Sequence, residues 1–590
     1  MTGGGERGKS SYEFGHFRLD AARRLLLKEG APVPLLPRSF DTLLVLVRSG
    51  GDLVDKDTLL SSVWLNEFVE ENSLAKAISD IRKTLGEGPK DGRYIVTVPG
   101  RGYRFAAAVR AIDTPTQTLS VAVLPLCNLT PHNDDEQLAV GLADAIITRL
   151  SRLRTIIVRP TGSVLRYAGR DRDPVVAARD LLVDYVVDGT LRRSAERVRA
   201  SIQLISAETG ATLWADTFDE HFADLFVVED VIAARVAETL PLPFGRDQRP
   251  SLEKHHTRDP EAYQLYLRGR FFWSTRTEAG CRKAIELFDR ALARDNRFAL
   301  AYTGLADTHI LLALQATHTG GLAPHATMPH ALQALARALK LDPTAAEPHA
   351  SRGLIETLYQ WDWAAAERAF VDALTRNPNY VDARHWYAMA LSYMHRWRDA
   401  TVQIGHALEI EPFSPIANAN LGRILYFARR YDEAITHLGT TLEIDPNYAV
   451  THHRLGQAFE GAAMYDRALE HFSVLRRLSN DAPPAIAETA HCYAVSGRQR
   501  EARELLRNLE ERARHQYVSA ASIGQVYIGL GEHERAFDWL ERAVEERALA
   551  LATIHVSPRY DPLRGNPRFD KLAQSIGSVR DARALPVDRT

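Results

Sequence analysis

The chain has 590 residues, of which 45% are hydrophobic and 25% are charged, and its formal net charge is -2 at pH 7. A chain of this length exceeds what a single hydrophobic core organises, so several domains are expected. The near-neutral balance excludes a general attraction to nucleic acid or membrane, so any such affinity has to come from a local patch.

The start of the chain and its cysteines bear on the compartment. The first residues, MTGGGERGKSS, are typical of a flexible polar leader and lack the apolar core of a signal peptide. No run of about 18 apolar residues is present, so no membrane-spanning helix is predicted. Three cysteines stand far apart without a C-x-x-C pair, which favours a reducing compartment and no structural metal site. We therefore expect a cytoplasmic protein.

Three short helices are predicted after strand-like segments in the first domain. LLPRSFDTLLVLVRSGG has apolar residues at helical spacing and ends at a glycine pair, and DKDTLLSSVW follows as a second helix. The third, NSLAKAISDIRKTLG, has a predicted N-cap at Asn72 and a stop at Gly86. Its apolar stripe consists of Leu74, Ile78, Ile81 and Leu85. At about 100° per residue, the opposite face carries Asn72, Lys76, Ser79 and Lys83, with Arg82 beside it.

That polar face suits a helix that enters the major groove of DNA. Lysine contacts phosphate or guanine, and Asn and Ser reach base edges or phosphates. The alternative is the solvated side of an ordinary amphipathic helix. Between Lys76 and Arg104, seven basic residues stand against three acidic ones, whereas the rest of the domain is acidic. This segregation of positive charge favours the DNA-binding interpretation.

The stretch IVTVPGRGYRF, residues 95–105, contains a Gly-x-Gly with an arginine at its centre. A loop that holds phosphate would place this motif between a strand and a helix of a βαβ unit. Here a second strand-like run follows, which predicts a hairpin with Arg101 at its tip. A purely structural turn is the alternative.

The order of these elements, together with the motif T-V-x-G-x-G-Y-x-F, resembles the winged-helix DNA-binding domain of the OmpR/PhoB type over residues 10–107. In that family the third helix enters the major groove, and the hairpin, or wing, lies along the backbone or minor groove. Carried over position by position, the resemblance implies DNA contacts at Asn72, Lys76, Ser79, Arg82, Lys83, Arg101, Tyr103 and Arg104. Several family members carry more arginine or histidine along the exposed helix face, whereas Ala75, Ala77 and Asp80 leave fewer base-reading groups here.

Residues 119–240 alternate strand and helix signals, which predicts an α/β sheet domain. YVVDGTLRR, RVRASIQLISAETG and TLWADTFD are predicted antiparallel strands, and Val198, Ala200, Ile202 and Leu204 share one face. The domain resembles the module similar to the amino-terminal domain of TolB, found ahead of tetratricopeptide arrays in bacterial regulators and some adenylate cyclases. This resemblance implies the fold only. Three aspartates, Asp144, Asp184 and Asp188, are either metal or acid groups or ordinary surface and strand-end residues.

From about residue 258 onward a helical pattern repeats. One alanine recurs at spacings of 47, 35 and then five times 34, at Ala284, Ala331, Ala366, Ala400, Ala434, Ala468, Ala502 and Ala536. Apolar residues follow at i+4, and mostly at i+7, so each repeat buries the same helix stripe. A small residue stands twelve positions earlier at Gly422, Gly456, Ala490 and Gly524. This pattern resembles the tetratricopeptide repeat, and such a solenoid offers a groove for peptides or protein surfaces.

The 47-residue spacing implies a 13-residue insertion within LLALQATHTGGLAPHATMPH. Its Gly, Pro and Thr content predicts a surface loop. The loop would hold His318, His325 and His330, either as solvated side chains or as a metal site, although their spacing matches no usual ligand pattern.

Together these patterns predict a multidomain protein: a winged helix-turn-helix of α+β class, an α/β sheet domain and an all-α tetratricopeptide superhelix. The predicted boundaries are a leader at 1–9, the winged helix at 10–107, a linker at 108–118, the α/β domain at 119–240, a linker at 241–257, about eight repeats at 258–575 and a tail at 576–590.

The resemblance implies a bacterial transcriptional regulator of the CadC-like or HilA-like class, whose α/β and repeat regions sense or recruit a protein. The predicted partners are double-stranded promoter DNA, a protein or peptide in the repeat groove and RNA polymerase, with a homodimer on DNA and no membrane. No catalytic constellation, cofactor or metal site is predicted, so the chain is not expected to be an enzyme. The alternatives are an interaction scaffold whose winged helix binds protein, or nucleotide chemistry in the α/β domain.

Overall fold

The computed structural model describes residues 11–577, apart from 22–24, 29–30, 65–70, 89–90, 113–118, 130–132, 154–155, 170–171, 195–196, 222–224, 241–256, 258 and 316–320. Two sheet-containing regions are followed by a long helical array. Across these described ranges, no helix is long and apolar enough to cross a membrane.

The first region places three helices on two small antiparallel sheets. Its elements are β1 (Ser11–Phe14), β2 (Phe17–Asp20), β3 (Leu25–Lys28), β4 (Ala31–Val33), α1 (Pro37–Arg48), β5 (Leu53–Asp55), α2 (Lys56–Val63), α3 (Glu71–Leu85), β6 (Ile95–Val98), β7 (Gly102–Phe105) and β8 (Arg110–Ile112). The strand orders are β4-β3-β2-β1-β8 and β5-β7-β6. Strand β8 falls in the segment predicted as the first linker, but it pairs with β1 and so belongs to this region.

Local sequence explains where these helices begin and which side they bury. Pro37 occupies the first turn of α1, where its missing N–H costs nothing. Asp55 caps α2 by accepting the Thr58 backbone N–H at 2.7 Å, and this bond and one from the Thr58 hydroxyl lower the pKa of Asp55. All four residues of the predicted α3 stripe are buried, as expected.

The second region is a mixed sheet covered by helices. Its elements are β9 (Leu119–Val123), β10 (Cys127–Asn128), α4 (Asn133–Leu150), β11 (Ile156–Val158), α5 (Thr161–Val164), α6 (Pro174–Asp180), β12 (Tyr185–Ser194), β13 (Arg197–Ser206), β14 (Thr212–His221) and α7 (Leu225–Thr239). Strand β9 runs parallel to β11 and β12, and β12, β13 and β14 are antiparallel as predicted. The predicted inward face of β13 is buried.

The three aspartates of this region have structural partners. Asp144 pairs with Arg270 at 3.0 Å, and Asp188 pairs with Arg172 at 2.6 Å. Asp184 accepts the Ser120 backbone N–H at 2.8 Å and its hydroxyl at 2.7 Å. Each carboxylate therefore holds the fold together, and the described residues contain no group of three or more acidic, His or Cys side chains that would hold a metal.

The array consists of helix pairs. Its helices are α8 (Pro260–Ser274), α9 (Glu278–Arg294), α10 (Ala299–Gln315), α11 (Pro324–Leu341), α12 (Glu347–Ile355), α13 (Trp363–Arg376), α14 (Val381–Tyr393), α15 (Trp397–Ile410), α16 (Pro415–Phe427), α17 (Tyr431–Ile444), α18 (Ala449–Gly461), α19 (Tyr465–Leu478), α20 (Pro483–Val495), α21 (Gln499–Arg512), α22 (Ala520–Gly529), α23 (His533–Glu545) and α24 (Pro567–Ser575). A π-helical turn, Glu356–Gln360, extends α12, and two 3-10 turns precede α24.

The repeated residues pack as their spacing predicts. Each of the recurring alanines lies on the second helix of a pair and is fully buried. A Cβ atom added to Gly422 would lie 2.4 Å from the Leu438 side chain, and one added to Gly456 would lie 2.3 Å from Phe472. Glycine at these positions therefore lets the two helices of a pair approach closely.

The prediction that the insertion forms a surface loop is wrong in part. Residues 316–320, which include His318, lie outside the described residues. The remaining inserted residues lengthen the second pair, because α10 has 17 residues and α11 has 18. His325 and His330 lie on α11, and the ring of His330 stacks on that of His309 at a centroid distance of 5.2 Å.

The second region and the first helix pair share one hydrophobic core. Val121, Leu142, Tyr263 and Phe288 belong to the same buried cluster. A Cβ atom added to Gly141 of α4 would lie 2.6 Å from the Leu267 Cβ of α8. The predicted second linker, most of which lies outside the described residues, therefore connects two parts of a continuous core.

A central cavity of about 1010 Å³ lies inside the array. The first helices of successive pairs line it, and so do residues of the second region, including Arg159. Arg159 is buried and donates to the carbonyl oxygens of Leu181 at 2.8 Å and of Ile410. This guanidinium therefore joins the α/β region to the end of α15.

One buried acid that lines the cavity predicts a pH-dependent stability. Asp307 is 6% exposed and accepts a hydrogen bond from the Ser351 hydroxyl, and burial raises its pKa to about 7 despite that bond and nearby Arg270. The pKa of Asp307 is higher in the folded state than in the unfolded chain. The contribution of Asp307 to stability is therefore fully present below the unfolded-state pKa and is lost as the pH rises toward 7.

We therefore expect Asp307→Asn, which keeps an acceptor for Ser351, to raise the free energy of unfolding at pH 8 by at most about 4 kcal/mol. The gain should shrink toward pH 5. Thermal unfolding at both pH values measures it, with the exposed Asp372→Asn as a control without such a trend. A destabilised Asp307→Asn protein at both pH values would contradict this account.

Candidate nucleic-acid interface

Helix α3 presents the predicted contact face to solvent. Lys76, Ser79 and Lys83 are all exposed, whereas the stripe on the other side packs into the core of the first region. Asn72 lies in α3, but its side chain is outside the described part of the chain. Two amines and one hydroxyl therefore stand on one accessible face of this helix.

Strands β6 and β7 form the hairpin that the glycine motif predicts. The Arg101 N–H donates to the Val98 carbonyl oxygen at 3.0 Å and closes the turn. Gly100 has a φ of +72°, a conformation that other residues adopt at a cost. Arg101 at the tip and Arg104 on β7 are exposed, as a role in DNA contact requires.

The second glycine of the motif is required for a different reason. Gly102 pairs with Asp55 of β5, and a Cβ atom added to Gly102 would lie 2.1 Å from the Val54 carbonyl oxygen. No side chain fits between these two strands. The predicted hairpin did not include this pairing, because β5 lies far earlier in the chain and nothing near the motif signals it.

Tyr103 requires a correction. It is 9% exposed, and its ring belongs to the core of the first region. On β7 the side chains alternate, so Tyr103 points inward where Arg104 points outward. Tyr103 therefore stabilises the hairpin by packing into the core of the first region.

Arg82 is half-buried and has partners within the domain. Its Nη2 donates to the Ile95 carbonyl oxygen and to the Thr97 hydroxyl, both at 2.9 Å. The guanidinium therefore joins α3 to β6 and fixes the hairpin relative to the helix. We interpret Arg82 as a positioning residue.

Glu87 supports the same junction and was missed by sequence analysis. It is 5% exposed, and its carboxylate accepts the backbone N–H groups of Tyr94 at 2.9 Å and Ile95 at 3.1 Å. A single acid between two glycines gives no sequence signal for such a role.

The exposed cations of α3 and the hairpin are free to bind an anionic ligand. Within the described residues, Lys76, Lys83, Arg101 and Arg104 have no ion-pair partner. All four side chains are exposed to solvent. Unpaired basic groups on a helix and an adjoining hairpin suit a polyanion with two neighbouring surfaces, such as a duplex groove and its backbone.

The role of Arg82 can be separated from direct phosphate contact. We expect Arg82→Ala to weaken DNA binding about three- to tenfold and to speed amide exchange in β6, because two hydrogen bonds to the hairpin are lost. The salt dependence of binding should stay unchanged, whereas loss of a phosphate contact lowers the slope by about 1. Hydrogen exchange and a salt series measure the two effects. A reduced slope with unchanged exchange would instead make Arg82 a DNA contact.

Comparisons with known families agree with this geometry. Residues 30–105 match the C-terminal domain of transcriptional regulatory proteins, and residues 116–234 match the second domain of HilA/YgeH-like transcriptional regulators. Residues 519–548 match a tetratricopeptide repeat. The chain thus carries a winged-helix DNA-binding domain of the OmpR/PhoB type, a HilA-like second domain and a tetratricopeptide region.

Individual relatives share parts of this arrangement. The chain is 23% identical to the transcriptional regulator HilA of Salmonella typhimurium over 68% of this chain and 71% of that protein. It is 31% identical to putative adenylate cyclase 3 of Rhizobium meliloti, over about a third of each chain. The solved DNA-binding domain of E. coli CadC matches 18% of this chain and 97% of its own, at 27% identity and a TM-score of 0.16.

Proposed function

We propose that this chain is a sequence-specific, DNA-binding transcriptional regulator that acts on promoter DNA. The observation that carries the proposal is the exposed cationic surface formed by α3 and the β6–β7 hairpin, with Lys76, Lys83, Arg101 and Arg104 unpaired within the described residues. Its place in a domain of the transcriptional regulatory type supports the same reading. We retain Asn72 and Ser79 as further proposed contacts.

We propose a division of labour along the chain. The winged helix extends through β8, the α/β region and repeats follow, and the repeats bind a protein or peptide partner. RNA polymerase and a second copy of the chain on DNA are further proposed partners. A protein that works on a bacterial promoter acts in the cytoplasm, where the chromosome is.

We further propose that the chain is not an enzyme. The three aspartates of the α/β region are held by Arg270, Arg172 and Ser120, which supports a structural role for each. The relative named as an adenylate cyclase aligns over only 32% of its own length, so its activity is not carried over to this chain.

Titration of fluorescently labelled DNA from upstream of the chain's own gene tests the proposal. We expect binding of the full chain to exceed that to a scrambled duplex by about a thousandfold, as is typical of specific binding. The affinity should also fall steeply with salt, with a slope of about -0.9 for each phosphate contact. Weak binding without preference or salt dependence would favour the scaffold alternative, in which the winged helix binds protein.

A further inference from the structure

Two neighbouring arginines line the central cavity of the array. Arg423 lies on α16 and Arg454 on α18, the first helices of two successive pairs, and both side chains belong to the cavity wall. Burial, together with the positive charge of Arg423, lowers the pKa of Arg454 to about 9. The two guanidiniums therefore face the same space.

Within the described residues, neither arginine forms an ion pair with a carboxylate. Arg454 is 4% exposed, its Nε atom has no hydrogen-bond partner within the described residues, and its Nη1 donates to Gln457 Oε1 at 3.2 Å. The Nε of Arg423 is likewise buried without a partner in the described part of the chain. Buried charged donors in this state are costly, so their retention points to a ligand.

The nearest acid is already engaged. Glu488 also lines the cavity, but it forms an ion pair with Arg559 at 2.8 Å and lies 3.0 Å from His453 Nε2. Gln457 donates to the same carboxylate at 3.3 Å. Arg559 also pairs with Glu460 at 2.8 Å and so is shared by two carboxylates, and within the described residues neither of them forms an ion pair with Arg423 or Arg454.

Aromatic surface adjoins the arginines. The Arg423 guanidinium lies over the rings of Phe427, at 5.0 Å, and Tyr393, at 5.4 Å. Tyr426, Tyr448 and Trp386 line the cavity as well. The cavity of about 1010 Å³ corresponds to the upper end of the range usual for small-molecule sites, about 300–1,000 Å³. Apolar walls with a few convergent charged donors are typical of such sites.

We propose that this part of the cavity binds a small organic anion whose phosphate or carboxylate lies between Arg423 and Arg454 and whose apolar body packs against the aromatic wall. Arginine suits this role because its planar donors match the oxygens of either group, and Arg454 stays charged at neutral pH even with its lowered pKa. The site adds a small-molecule ligand to a chain whose proposed partners are DNA and protein, and binding of this ligand is measured without either partner.

Isothermal titration of the full chain with simple probes tests the site. The probes are phenyl phosphate and phenylacetate, with phenol as the neutral control and hexaglutamate as a peptide. We expect one of the aromatic anions to bind and phenol not to bind. Arg454→Gln and Arg423→Gln should each weaken that binding about tenfold or more, since each removes charged hydrogen bonds. The exposed Arg477→Gln on α19 is the matched control and should bind as the wild type does.

Thermal unfolding without ligand distinguishes a binding role from a structural one. Since Arg454→Gln removes a buried charge that has no ion-pair partner within the described residues, we expect its Tm to match or exceed that of the wild type. Arg423 is the more exposed of the two arginines. Arg423→Gln therefore tests the site separately, with Arg454 left in place. The proposal fails if neither aromatic anion binds at millimolar concentration, if binding ignores both arginines, or if hexaglutamate alone binds through them.

Discussion

Replacing Lys83 and Arg101 together with alanine is expected to weaken binding to the upstream DNA between tenfold and a hundredfold at moderate salt. Both side chains are exposed and lack an ion-pair partner within the described residues, so their charge is available to phosphate. The slope of log affinity against log salt should fall by about 2, one for each lost contact.

The fold should be unaffected by this double substitution. Lys83 lies outside the buried stripe of α3, and Arg101 stands at the tip of the hairpin. Surface substitutions of this kind change stability by about 0.5 kcal/mol or less. Thermal unfolding therefore serves as the internal check, while anisotropy titrations over a salt series give the affinity and the slope.

A matched pair of substitutions controls for net charge. Lys28 on β3 and Lys340 on α11 are both exposed, and Lys28→Ala with Lys340→Ala removes the same two charges from elsewhere on the chain. This variant should retain wild-type affinity and slope. If both double variants bind alike, α3 and the hairpin do not contact DNA, and the result supports the scaffold alternative.

The repeats were predictable because their signal is local and recurs. Ala400, Ile404 and Ala407 lie on one face of one helix, so the period alone places them in the core, and all three are fully buried. The alternation along β13 likewise predicted which side of that strand packs inward. Patterns of this kind can be read from the sequence because residues at the same position of the period are all buried.

The details of the candidate interface were less predictable because they depend on pairs distant in sequence. Arg82 resembles any exposed helical arginine until β6 brings the Ile95 carbonyl oxygen within 2.9 Å of it. The central cavity is a stronger case. Arg423 and Arg454 stand in different repeats, and only the curvature of the array turns both toward the same space.

The two glycines of the hairpin are expected to differ sharply when each is changed to alanine. Gly102→Ala should reduce DNA affinity at least as much as the double substitution and should abolish amide protection in β5 and β7. Its new Cβ atom would lie 2.1 Å from the Val54 carbonyl oxygen and 2.8 Å from the Asp55 Cα. Both neighbours are backbone, so the strands have to separate for the methyl group to fit.

Gly100→Ala provides the comparison within the same motif. Nothing lies within 4 Å of a Cβ atom at Gly100, and its φ of +72° costs an alanine about 1 to 2 kcal/mol. That strain is confined to the turn, so the β5–β7 pairing should persist and DNA affinity should fall only a few-fold. Gly100→Asn should be milder still, because asparagine tolerates this conformation.

Hydrogen exchange across residues 53–55 and 102–105 reports the pairing, and anisotropy reports the affinity. Equal effects of Gly102→Ala and Gly100→Ala would mean that the turn alone governs the hairpin and that β5 contributes little. A larger effect at Gly102 would mean that β5 positions the wing, because Val54 and Asp55 pair with Tyr103 and Gly102. Arg101 would then reach DNA from a hairpin that is fixed on two sides, by β5 across the sheet and by Arg82 from α3.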